Sequence, residues 1–205
     1  MIYDISPEIS PKLNVWKDDV SFSRTVLCDI KNGDNLTLSS INTTLHLGAH
    51  TDAPKHYHAG GNDIATQNLS YYIGECQVIH VTVNRGERIK ISHLKDKRII
   101  AKRILFKTDS FSPYNWNNDF CAFSAELINF LSEKNVLLVG LDTPSVDLFF
   151  DKQLEAHSEI YKKNMVILEG VVLDGVAEGK YELIALPLKI KDADASPVRA
   201  ILRDY

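Results

Sequence analysis

Apolar positions form short strand-like runs in the first half of the chain and alternating helix and strand patterns in the second. Residues 2–6, 24–30 and 36–45 mix β-branched side chains with partial polar–apolar alternation, the pattern of strands, and Asn32-Gly33-Asp34 supplies turn chemistry between the latter two. Runs at 76–83 and 104–108 read as further strands, with a short helical piece at 91–95 between them. Beyond residue 120 the period changes. Ser124 is placed to N-cap a helix whose Leu127, Ile128 and Leu131 share one apolar face. A buried strand at 136–141, a second helix at 151–161 and a strand at 165–168 follow, and strands at 181–186 and 198–202 close the chain. The expectation is a mixed, strand-rich α/β fold. Pattern alone leaves the strand order open.

Composition narrows the class. With 205 residues, 44% of them hydrophobic and 24% charged, the chain fits one domain over 1–205 with a full core, and neither repeats nor linkers divide it. The net charge of −4 comes without a basic stripe, since Lys162-Lys163 and the stretch 95–98 read as solvated faces, so a nucleic-acid partner is not expected. Cys28, Cys76 and Cys121 are odd in number and lack CxxC spacing, which points to reduced thiols and a reducing compartment. No secretory pattern opens the sequence, and the longest apolar stretch, 136–141, is too short to span a bilayer. A cytoplasmic protein without a membrane partner is expected.

Histidine is distributed very unevenly. Four of the seven lie within the thirteen residues 46–58, together with Asp52 and punctuated by Gly48 and Pro54. Imidazole and carboxylate bind divalent transition metals without thiolate help. Pro54 pushes Ala53 away from helical geometry, which excludes one helix through His56, and Gly48 permits an irregular backbone. A turn there converges His46, His50 and Asp52 on one ion with a position left for water, and leaves His56 near enough to act on what the metal holds. Far along the chain, His157 sits on the second helix between Glu155 and Glu159, and Glu169 ends the following strand. A helix and its returning strand can bring both to one sheet end. Asp52 and Glu169 are then able to bridge two ions roughly 3.5–4 Å apart. His80 and His93 read as ordinary surface or core residues, and His58 as a loop residue beside Gly60-Gly61. Trp16 reads first as a packing residue. The segment Asp142-Thr143-Pro144-Ser145 is a strand-to-loop exit of the kind that also lines ligand crevices.

The string His46-Leu47-Gly48-Ala49-His50-Thr51-Asp52-Ala53-Pro54-Lys55-His56 resembles the HxGTHxDxPxH signature of the metal-dependent cyclase-like hydrolases, and within that superfamily the chain resembles the bacterial kynurenine formamidases. Further blocks carry the likeness over nearly the whole chain: Asp4-Ile5-Ser6, Val15-Trp16, Tyr72 to Cys76, Val139 to Ser145, Ile167 to Gly170, Glu182 to Leu188 and Ala195 to Ala200. The resemblance implies a swivelling β/β/α fold assembled as a homodimer or higher homo-oligomer. It implies His46, His50 and Asp52 around one Zn²⁺, His157 completing a second, and Asp52 and Glu169 reaching both, with Mn²⁺ as the other candidate metal. It makes His56 the proton donor and acceptor and Trp16 a substrate contact. Ala49 replaces the commoner threonine at a position that is not a ligand. The implied reaction is hydrolysis of the small molecule N-formyl-L-kynurenine to L-kynurenine and formate, in tryptophan degradation. A rival of the same superfamily is an isatin-hydrolase-like enzyme of cyclic amides or lactones. A non-catalytic metal-binding protein is a third reading, opposed by His56, because a structural site needs no free base beside it.

Overall fold

The computed structural model describes residues 1–205. Its elements begin with β1 (Ile2–Asp4), the hairpin β2 (Ser23–Cys28) and β3 (Leu38–Asn42), β4 (His50–Asp52) and one helical turn, α1 (Pro54–Tyr57). Then come β5 (Ile73–His80), β6 (Arg88–Ile89), β7 (Arg103–Lys107) and β8 (Ala122–Phe123). Helices α2 (Ala125–Glu133) and α3 (Glu155–Lys162) alternate with β9 (Leu138–Leu141) and β10 (Val166–Leu168). β11 (Gly179–Ile184), β12 (Ala195–Pro197) and β13 (Ile201–Arg203) complete a mixed, strand-rich α/β fold.

Seven strands form the main sheet in the order β1-β13-β11-β5-β7-β9-β10. Neighbours from β1 to β5 are antiparallel, and those from β5 to β10 are parallel. Parallel neighbours need crossovers, and α2 and α3 lie on two of them. On one face Ile104, Phe106, Val139, Leu141 and Ile167 pack with Leu127, Ile128 and Leu131 of α2 and with Ala156 and Ile160 of α3. On the other, Leu105, Leu138, Val166 and Leu168 pack with Ile5, Tyr72, Val171 and Leu173. Both faces being covered, these strands run apolar on consecutive positions instead of alternating, with Arg103 and Lys107 only at the two ends of β7. The Ser124 hydroxyl accepts the Leu127 N–H at 3.2 Å and caps α2. No helix is long and apolar enough to cross a membrane.

Several boundaries differ from the sequence reading. The strand expected over 36–45 stops at Asn42, and its hairpin is almost wholly exposed, with no core behind it. The stretch 50–52, read as a turn, is a strand, because β4 pairs with β12. The second helix starts at Glu155, because Leu154 adopts a left-handed backbone (φ 49) that helix geometry excludes. The closing strand expected over 198–202 begins only at Ile201, in β13, while β12 lies just before the expected range, and the small parallel pair β6–β8 has no clear pattern in the sequence.

Candidate metal centre

Glu169 follows directly on β10, at the carboxyl end of the parallel strands. Its N–H donates to the His50 carbonyl at 2.9 Å, and the His50 N–H donates back at 3.1 Å, so β4 is stitched to the end of β10. Alternate residues of a strand share a face. His50 and Asp52 therefore project together, while Thr51 turns away and donates its hydroxyl to the Ile167 carbonyl at 2.6 Å. The approach of the two segments depends on glycine. Gly170 is left-handed (φ +64), and a Cβ there would sit 2.2 Å from the Gly48 carbonyl oxygen. His46 comes from the loop before β4. Ala53 is extended, as the following proline requires, and Pro54 then opens α1, which carries His56. His157 lies in the first turn of α3.

His50 Nε2 lies 3.0 Å from Glu169 Oε2 and 3.5 Å from Asp52 Oδ1. His157 Nε2 lies 3.4 Å from Asp52 Oδ2 and 4.0 Å from Glu169 Oε1. Each carboxylate thus shows one oxygen to His50 and the other to His157. His46 Nδ1 stands 3.0 Å from Asp52 Oδ1. Every one of these imidazoles is tied down by its other nitrogen. His50 Nδ1–H donates to the Gly48 carbonyl at 2.9 Å, His46 Nε2 meets Asp194 at 2.9 Å, and His157 Nδ1 meets Asp147 at 2.8 Å. Such outer partners fix the tautomer and aim the remaining nitrogen inward. Asp147 is itself anchored by Arg88 at 2.8 Å and by the backbone N–H groups of Ala156 and His157.

The charges match this arrangement. Burial alone would lower the pKa of His46, but contacts with Asp52 and Asp194 outweigh it and raise it to about 9. His157 is likewise raised to about 10 against its burial, by Asp147 and Asp52. Asp52 is held well below the carboxylate range despite complete burial, by His157 and His46. His56 moves the other way: burial depresses it.

A divalent cation fits this cluster. Both oxygens of Asp52 and Nε2 of His50 are buried without a hydrogen-bond partner, the nearby imidazole nitrogens being close but out of line. Buried polar atoms seldom stay unpaired, and an ion between the carboxylates would satisfy them together. His50, Asp52 and Glu169 form one three-donor group with donor atoms within 4.8 Å of each other, and His46, Asp52 and His56 form a second. His56 therefore stands at hand either for coordination or for proton transfer.

All six residues named from the histidine motif and the second half, His46, His50, Asp52, His56, His157 and Glu169, line one cavity of about 390 Å³. Trp16 lines it too, stacked on Phe149 at 4.8 Å between ring centroids and edge-on to Trp116 at 5.6 Å. Asp142, Pro144 and Ser145 of the β9 exit also line it. His80 and His93 lie elsewhere, and His58 stacks on Tyr161 at 3.8 Å. Sequence reasoning missed Asp147 and Asp194. Asp147, two residues past the β9 exit segment, offered the only local hint; Asp194 offered none.

A structure described as a potential metal-dependent hydrolase with cyclase activity covers 100% of this chain and 99% of its own, at a TM-score of 0.85 and 27% identity. The protein is a hydrolase of this cyclase-like class. At the level of sequence, residues 3–148 match the family model Cyclase ("Putative cyclase"), and the chain belongs to that family. Kynurenine formamidase from Delftia acidovorans (strain DSM 14801 / SPH-1) is 38% identical over 203 residues, 98% of this chain and 97% of that protein. Isatin hydrolase A from Ralstonia solanacearum shares the fold, at a TM-score of 0.82 and 20% identity over 98% of this chain and 91% of that one.

Proposed function

We propose that the protein hydrolyses N-formyl-L-kynurenine to L-kynurenine and formate at a two-metal centre. The ligands are His46, His50, Asp52, His157 and Glu169, the ions Zn²⁺ or, as the alternative, Mn²⁺. The observation that carries the metal chemistry is the division of the Asp52 and Glu169 oxygens between His50 and His157. The formamidase from Delftia acidovorans, alike over nearly the full length, supports the substrate.

Metal ions held here supply Lewis-acid activation of water and polarisation of the formyl oxygen. The protein's residues do the rest. His56, its pKa depressed by burial, is neutral at physiological pH and takes the proton of the attacking water. As the carbon–nitrogen bond breaks, the same imidazole returns that proton to the aniline nitrogen, which leaves as a neutral amine. Asp194 Oδ2 lies 3.5 Å from His56 Nδ1 and 2.9 Å from His46 Nε2, so it positions both rings. Trp16 offers its indole to the substrate ring. Residues 1–205 act as one unit in this reading, in a cytoplasmic setting where Cys28, Cys76 and Cys121 stay free. The assembly is a homodimer or higher homo-oligomer, a state that Val26, Leu27 and Ile41, exposed on the hairpin, support and that sedimentation would measure.

Formate release from N-formyl-L-kynurenine tests the activity. It should appear with the purified protein, vanish on chelation and return with Zn²⁺ or Mn²⁺. Isatin opening without formate release would transfer the chain to the rival reading. Glu169→Gln tests the second ion, because it keeps shape but removes the bridging charge. Elemental analysis should show about one metal equivalent in that variant, against about two in the parent.

A further inference from the structure

We propose that Lys17 and Asp18 form a recognition site for an α-amino-acid head group at the mouth of the cavity. This inference rests on the formamidase reading, and it assigns the part of the substrate that the metal centre does not touch.

The cavity has three chemically distinct zones. The His, Asp and Glu cluster lies at one, and Trp16, Phe111 and Trp116 form an aromatic wall at another. The third is the segment Lys17-Asp18-Asp19. Lys17 is the only lysine or arginine that lines the cavity. Among the acidic lining residues outside the metal cluster, Asp142 is already committed. It accepts the Thr108 N–H, the Thr108 hydroxyl and the Asp109 N–H at 2.8, 2.6 and 2.8 Å. Asp19 accepts its neighbour's N–H, that of Val20, at 2.7 Å. Lys17 and Asp18 are exposed, and neither is held by an ion pair or a side-chain hydrogen bond.

The backbone presents these two charges in a defined place. Asp19 N–H donates to the Trp16 carbonyl at 3.1 Å and closes a four-residue turn, with Asp18 in the left-handed region (φ 70). Trp16 anchors the turn by its stack on Phe149 and its edge contacts with Trp116 and Phe120. The residue that faces the aromatic ring therefore also fixes the pair that follows it. An α-amino acid carries a carboxylate and an ammonium on one carbon, so adjacent side chains of opposite charge on one turn complement it. Lys17 takes the carboxylate and Asp18 the ammonium. Charge-assisted hydrogen bonds of this kind are stronger than neutral ones, and a site built for them discriminates against a ligand that lacks the group.

Two substrates separate the head group from the reacting bond. N-formyl-L-kynurenine has the head group, and 2′-formamidoacetophenone has the same ring, ketone and formamide without it. Lys17→Gln and Asp18→Asn remove one charge each, and asparagine tolerates the left-handed backbone. The ratio of kcat/KM for the two substrates should favour N-formyl-L-kynurenine in the parent and fall by ~10–100-fold in either variant, through KM. An unchanged ratio, or an equal loss on both substrates, would overturn the assignment and leave these residues a role in the turn alone. If the metal-loaded parent hydrolyses neither compound, the formamidase reading itself fails, and the head-group site with it. If it hydrolyses both equally well, only the head-group site fails.

Discussion

His157 illustrates how a single buried imidazole is made useful. Its Nδ1 is held by Asp147, Asp147 by Arg88, and Arg88 also by Asp151 and Glu155, so the ring has one free nitrogen and one direction to point it. His46 is restrained in the same way by Asp194. The two rings have raised pKa values, about 9 and about 10, so both are protonated at pH 7 in the metal-free protein. Their pairing contributes stability in full below pH 6.5 and loses it as pH rises through those values. Coordination requires neutral imidazole, hence metal uptake must expel these protons. Calorimetric titration with Zn²⁺ at pH 7, in two buffers of different ionisation enthalpy, should show release of about two protons, with apparent affinity rising up to about pH 10. Proton-neutral binding would contradict the ligand assignment. His56 differs from both rings, since burial depresses it and its contact with Asp194 is a long 3.5 Å. His56→Ala should lower kcat by roughly 10²–10⁴-fold with metal content near that of the parent. Metal lost in step with activity would make His56 a ligand, as its group with His46 and Asp52 permits.

Elements bring these side chains together, and their legibility in the sequence follows from what each is made of. The buried strands β7, β9 and β10 and the helix α2 were readable, because dense apolar runs and a capped amphipathic stretch are local signals. β4 was not, because His50-Thr51-Asp52 has no apolar residue, and its strand geometry comes from β12 and Glu169. The same holds for the outer carboxylates. Asp147 and Asp194 are single aspartates without a motif, and only tertiary contact gives them partners. The histidine motif was legible because its donors are dense, whereas joining it to His157 and Glu169 drew on family resemblance as well as on helix–strand order. Gly48 and Gly170 show what the motif leaves implicit, namely the close approach that sets the two ligand segments side by side. Gly170→Ala would place a methyl group 2.2 Å from the Gly48 carbonyl on a left-handed backbone. The expected result is a folded but destabilised protein, with the β4 segment displaced and metal affinity reduced ~10-fold or more. Parent-like metal binding in a competition assay with a chromophoric chelator would show that the two segments move apart without consequence.

Across the whole molecule, the centre joins parts of the chain far apart in sequence: the motif at 46–56, the first turn of α3, the end of β10 and, through Asp194, the approach to β12. It also concentrates charge in the interior, with Asp52 1% and Glu169 2% exposed. Two carboxylates so close and so dry repel each other, and in the metal-free protein the offset comes from protonated His46 and His157. In the proposed two-metal reading a divalent ion would replace those protons, bind the folded state, and have no equivalent site in the unfolded chain. Stability should therefore depend on free metal as linkage requires, about 2.7 kcal/mol at a hundredfold excess over the dissociation constant. For a chain of this length that corresponds to a rise in Tm of roughly 5–11 °C. Thermal unfolding followed with chelator and with excess Zn²⁺ measures the gap, and Glu169→Gln should narrow it by removing one shared ligand. Identical melting with and without metal in the parent would mean that these donors hold no ion in the folded state, and the two-metal centre would have to be abandoned.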